Sequence, residues 1–164
     1  MKVGFAFFKA RYGGLFAHGI QLRTGGEHSH VEFYLTTDYV VEEGTGTVRH
    51  HCFSSYEGDD GVRWKYIDIH DGRWDLIEFE VELEIVKEVV AWANSQVGKA
   101  YDWAGILGFV NPWRKGGDPD RWFCSEICAE LALKLKVINA ISKRTDKISP
   151  RDLFELLSDM QSPL

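Results

Sequence analysis

Apolar and polar positions alternate through the first half of the chain and give way to a three-to-four-residue period in the second. Val3–Phe8 is an unbroken apolar run of a length that suits a buried strand. His30–Leu35, rich in β-formers, predicts a second strand ended by Thr37-Asp38. Tyr39–Val41 and Val48–Phe53 are further strand candidates, separated by Gly44 and Gly46. Val62–Ile69 alternates less cleanly and follows the turn-like Gly58-Asp59-Asp60-Gly61. Asp75–Val81 alternates well, with Ile77, Phe79 and Val81 on one face and Glu78 and Glu80 on a face read as solvated. From there the period changes. Ile85, Val89, Trp92, Ala93 and Gln96 follow helical spacing, and Gly98 supplies a stop. A short helix from Trp103 to Phe109 is predicted before Asn111-Pro112, then a loop over Gly116-Gly117-Asp118-Pro119. The next helix begins near Cys124 and runs toward Lys136, its stripe formed by Ile127, Cys128, Leu131, Ala132 and Leu135. Ser149-Pro150-Arg151-Asp152 reads as an N-cap, a first-position proline and a first-turn acid, opening a helix with Leu153, Phe154, Leu156 and Leu157. Strands first and helices later predict an α+β fold. No repeat or linker divides the chain, so residues 1–164 read as a single domain.

Composition narrows the function classes. The chain has 164 residues, enough for a core without staples, and 13% are aromatic. A net charge of −6, with tryptophans that do not interleave with a basic patch, argues against a nucleic-acid binder. No apolar run approaches the ~20 residues of a membrane span. Lys9 stops the first apolar run too early for a signal-peptide core, so a soluble, cytoplasmic protein is expected, with virion association or release needing other means. Three cysteines are an odd count and predict reduced thiols rather than a disulfide framework. The glycine-rich loops lack the order of a phosphate cradle, and no cofactor is implied.

The most informative segment is Trp122-Phe123-Cys124-Ser125-Glu126-Ile127. A cysteine in the first turn of a helix faces unpaired N–H groups and the positive end of the helix dipole, which favours thiolate. The same amides, chiefly those of Cys124 and Ser125, suit an oxyanion formed when a thiolate attacks a carbonyl. The competing reading of Cys124 is a small hydrophobe at a buried helix start, the reading preferred for Cys128 one turn later. A thiolate needs a base. In His30-Val31-Glu32 the histidine and the carboxylate share a strand face, so Glu32 is placed to orient the ring and to stabilise an imidazolium. A surface histidine and an arginine-paired glutamate are the plainer alternatives. His28-Ser29-His30 with His50-His51-Cys52 can also be read as metal ligands, but no helical partner motif accompanies them, and no metal site is assigned. Tyr101, just past a helix end, either packs its ring or turns its hydroxyl to a cleft.

Four short motifs in fixed order carry a resemblance: Ser29-His30-Val31-Glu32, Gly98-Lys99-Ala100-Tyr101-Asp102-Trp103, Phe123-Cys124-Ser125-Glu126 and Ile148-Ser149-Pro150-Arg151-Asp152-Leu153. Together they resemble the circularly permuted branch of the NlpC-type cysteine peptidases, the YiiX-like proteins with a papain-like fold. The small bacteriophage-encoded members are the most similar, and their serine pair and Gly-Val-Arg turn are matched by Ser54-Ser55 and Gly61-Val62-Arg63. The resemblance implies a small antiparallel sheet or half-barrel packed on helices, with Cys124 as nucleophile and His30 as base. It places Tyr101 near the substrate's amine or the oxyanion. For the third member, Glu32 is preferred over Glu42 or Ser54. The implied activity is peptidase or amidase hydrolysis, with cell-wall (peptidoglycan-derived) peptides as the implied substrate. Acyl transfer, ester or lipid deacylation, and a non-catalytic phage binding role are the alternatives.

Overall fold

The computed structural model of the chain describes residues 1–14, 19, 25–103, 118, 120–139, 141 and 144–161. His18, Trp113, the Asn111-Pro112 break, and most of the helix predicted over 103–109 and of the loop over 116–119 lie outside them. In chain order the elements are β1 (Lys2–Lys9), β2 (His28–Val41), β3 (Val48–Tyr56), β4 (Gly61–Ile67) and β5 (Trp74–Glu80). Then come α1 (Leu83–Gln96), β6 (Ala100–Tyr101), β7 (Arg121–Trp122), α2 (Cys124–Lys134) and α3 (Pro150–Gln161). Among the described residues the strands form one curled sheet, a half-barrel in the order β5-β1-β2-β3-β4-β6-β7. All pairings are antiparallel except β6 with β7. This is an α+β domain. No helix among the described residues is long and apolar enough to cross a membrane.

The unbroken apolar run of β1 is explained by its place between β2 and β5, where both of its faces are covered. Val3, Phe5 and Phe7 join Val31, Phe33 and Phe53 in the main core, against Ile127, Leu131, Leu153 and Leu157 of the helices. Each such side chain contributes about 1.5–3 kcal/mol by leaving water. Phe5 and Phe33, cross-strand partners in β1 and β2, pack with ring centroids 5.6 Å apart. A smaller cluster of Ala6, Tyr34, Cys52 and Ile69 forms separately. The capping prediction for α3 is realised. The Ser149 hydroxyl accepts the Asp152 N–H at 3.1 Å, and the Ser149 N–H donates to the Asp152 carboxylate at 3.0 Å.

Three expectations need correction. The strands predicted at His30–Leu35 and Tyr39–Val41 are one strand of 14 residues, β2. Its pairing with β3 shifts register between Tyr34 and Tyr39, so the polar Thr36-Thr37-Asp38 is absorbed as an irregularity and does not end the strand. Secondly, the face holding Glu78 is not simply solvated, because Tyr34 donates its hydroxyl to Glu78 at 2.9 Å and Lys2 pairs with it at 2.6 Å. Thirdly, β6 and β7 stand where no strand was predicted. Two residues are too few to show a period, and both strands exist only through distant partners: Ala100 pairs with Gly61 and Arg121, and Tyr101 with Trp122. Gly61 permits that approach. Its φ is +144°, and a Cβ there would stand 2.1 Å from the Lys99 carbonyl oxygen.

Candidate active site

The site grows from β2. Strand alternation puts His30 and Glu32 on one face, and the imidazole Nε2 lies 2.7 Å from Glu32 Oε1. Glu32 is buried, its side chain 1% exposed, and its charge is met by a fork. Arg63 of β4 donates Nη1 to Oε2 at 2.7 Å and Nη2 to Oε1 at 2.6 Å. Arg63 also donates Nε to Asp59 at 3.0 Å, and Asp59 in turn accepts Lys65 at 2.8 Å. Burial works against the Glu32 carboxylate, but Arg63 and then His30 outweigh it and hold its pKa down at about 2.

Cys124 opens α2, and its sulfur is an electrostatic and hydrogen-bonding neighbour of the His30 ring. Burial disfavours the imidazolium, yet the charges of Cys124 and Glu32 and hydrogen bonding to both push His30 up to about 10. The ring therefore keeps its proton at neutral pH. Among the described residues the other two thiols have no such neighbour. Cys52 donates to the His50 carbonyl at 3.3 Å, Cys128 donates to the Val31 carbonyl at 3.7 Å, and burial pushes both thiols up. All three cysteines are free and buried.

A cavity of about 410 Å³ lies beside the charged pair, lined among others by Phe8, His30, Tyr56, Arg63, Trp74 and Tyr101. Cys124 is only 1% exposed and does not line it. Its neighbours His30 and Tyr101 form the cavity wall beside it. Tyr101 is buried, packs edge-on against Phe123 at 5.9 Å, and keeps its hydroxyl protonated, through burial first and the nearby Cys124 charge second. Ser125 turns its hydroxyl away, donating to the Ile148 carbonyl, so its remaining group for an oxyanion is the backbone amide of a helix first turn. Glu126 reaches back to accept the Phe123 N–H at 3.4 Å, closing the end of α2.

The other sequence candidates lie elsewhere. Glu42 is bound within the β2–β3 hairpin by Arg49 at 3.3 Å and Thr45 at 3.2 Å, and the Ser54 hydroxyl donates to the Val31 carbonyl at 2.7 Å. Neither is the partner of His30. The histidines read as metal ligands diverge: His28 meets Asp75 at 2.8 Å, His51 meets Asp38 at 3.0 Å, and His50 meets His70 at 3.2 Å. Among the described residues no three His, Cys, Asp or Glu side chains converge as a metal site. In the sequence Arg63 stands only in a Gly-Val-Arg turn motif, and the arginine-paired alternative for Glu32 names no particular arginine. Its contact with Glu32 spans 31 positions through two strand pairings, and no local pattern announces it. Tyr56 and Trp74, which flank the His30 ring at 5.2 and 6.4 Å between centroids, are likewise visible only in the fold.

No protein-family model matches the chain, and no curated protein matches it either.

Proposed function

We propose that the chain is a cysteine hydrolase that cleaves an amide bond with Cys124 as nucleophile and His30 as acid and base. The observation that carries the reading is His30, bonded through Nε2 to Glu32 at 2.7 Å and at the same time an electrostatic neighbour of Cys124. A structural histidine has no need of both. In the proposed reaction the Cys124 sulfur forms a bond to the substrate carbonyl carbon. The resulting oxyanion is met by first-turn amides of α2, at Cys124 and Ser125, with Tyr101 on the adjoining wall. As the C–N bond breaks, the imidazolium gives its proton to the leaving amine. His30 then takes a proton from water, whose oxygen attacks the thioester carbon. The acid leaves, and the sulfur regains its starting state.

The order of His30 before Cys124 and the sheet-on-helices arrangement support assignment to the permuted NlpC-type papain-like group. The resemblance extends the reading to cell-wall peptides as substrates. Burial of the sulfur favours a second reading, a binding domain that keeps the architecture without turnover.

Mapped iodoacetamide labelling separates the two. Hydrolase chemistry predicts that Cys124 labels at neutral pH at least about tenfold faster than Cys52 or Cys128, and that His30→Ala removes the difference. Equal, slow labelling of all three thiols favours the binding domain. A panel of stem peptides, thioester acceptors and acyl lipids then distinguishes hydrolysis from acyl transfer and deacylation.

A further inference from the structure

The pair at the centre of the site ends in a longer line of alternating charges: Lys65, Asp59, Arg63, Glu32, His30. Arg63 is the only member with carboxylates on both sides. Its fork spends two donors on the two oxygens of Glu32 and a third on Asp59, and its side chain is 14% exposed. The guanidinium also stands 5.7 Å from the Tyr56 ring centroid. A single salt bridge for stability would not need this geometry. Both Glu32 oxygens are pinned, so the lone pair offered to His30 has one direction.

We propose that Arg63 is a positioning residue: its fork fixes Glu32 as an oriented carboxylate and through it governs the proton held by His30 beside Cys124. The inference rests on the hydrolase reading for its purpose, and its physical content can be tested apart from turnover. The titratable and charged groups around the pair are Cys52 and Tyr56 on β3, Glu57 and Asp59 in the turn before β4, and Arg63 and Lys65 on β4. Tyr101 on β6 and Cys124 and Cys128 on α2 complete the set among the described residues. Arg63 is the cation that touches Glu32 directly. Removing it leaves a buried carboxylate whose remaining partner among the described residues is His30, so proton binding at Glu32 is favoured on two counts, burial and lost attraction.

The test is a ¹³C NMR titration of the Glu32 carboxyl in the whole chain. Arg63→Met raises the Glu32 midpoint by about 1–3 pH units, and Arg63→Lys, which keeps the charge but not the fork, restores only part of that shift. An unchanged midpoint in folded Arg63→Met overturns the proposal. If that variant does not fold, Glu32→Gln/Arg63→Met decides. Recovery of folding shows that the lone carboxylate was the defect, and continued unfolding shows that Arg63 serves packing alone. Iodoacetamide labelling of the same variants reads the other question. Inert Cys124 in the parent chain, with a moving Glu32 midpoint, sinks the hydrolase reading and leaves the hold of Arg63 on Glu32 standing.

Discussion

His30 and Glu32 are shifted in opposite directions, and their linkages to folding have opposite signs. The Glu32 pKa falls from 4.5 to about 2, so its contribution is complete above 4.5 and is lost as pH drops through 2. The His30 pKa rises from 6.5 to about 10, so its contribution is complete below 6.5 and is lost as pH climbs through 10. Both are whole only between pH 4.5 and 6.5. Urea midpoints measured across pH should therefore peak in that window, and His30→Gln should flatten the decline on the alkaline side. A parent chain whose stability keeps rising from pH 7 to 9 would show that the imidazolium is not held as described. The sequence offered the pair through its His-x-Glu spacing, and strand alternation supplied the common face. Its preference for Glu32 over Glu42 rests on that shared face and on the His-Val-Glu resemblance, whereas the arginine from β4 that holds Glu32 is set by strand order.

Among the elements, the shortest matter most to the site. β6 contributes one buried tyrosine to the cavity wall, and it is held against β4 at Gly61. Gly61→Ala combines an unfavourable φ with a contact to the Lys99 carbonyl, and it should destabilise the fold by about 1–3 kcal/mol. The readout is the urea midpoint, and a second consequence is altered Cys124 labelling as Tyr101 shifts. A change below about 0.5 kcal/mol would mean that β6 moves freely to accept the methyl. The longer elements were legible for ordinary reasons. α2 and α3 carry apolar stripes at helical spacing, and α3 also has a start signal in Ser149-Pro150. β2 runs past its predicted end because Thr-Thr-Asp, though turn chemistry, lies between two stretches paired with β3, at Tyr34 before it and at Tyr39 after it.

For the molecule as a whole, one main core joins the sheet to α1, α2 and α3, with Val86 and Val89, Ile127 and Leu131, and Leu153 and Leu157 meeting the strand residues. A single shared core predicts a single cooperative transition. Far-UV circular dichroism and tryptophan fluorescence should give coincident urea curves. Leu131→Ala, at a fully buried position, should lower both together by about 2–5 kcal/mol. Separated transitions would mean that the sheet and the helices fold as independent units. The same continuity links the site to the core, since Cys124 is at once the first residue of α2 and a member of the main cluster.

The chain's own pattern settled what depends on neighbours in sequence: strand and helix periods, the N-cap of α3, a cysteine at a helix start, and a histidine two residues from a carboxylate. Those features follow from backbone geometry and need no knowledge of the fold. Tertiary structure decided which of three thiols lies beside an imidazole, which carboxylate the imidazole meets, and which arginine holds that carboxylate. The thiol–imidazole and arginine–carboxylate contacts join residues 94 and 31 positions apart, and a one-dimensional pattern carries no term for distances fixed by strand order and helix docking.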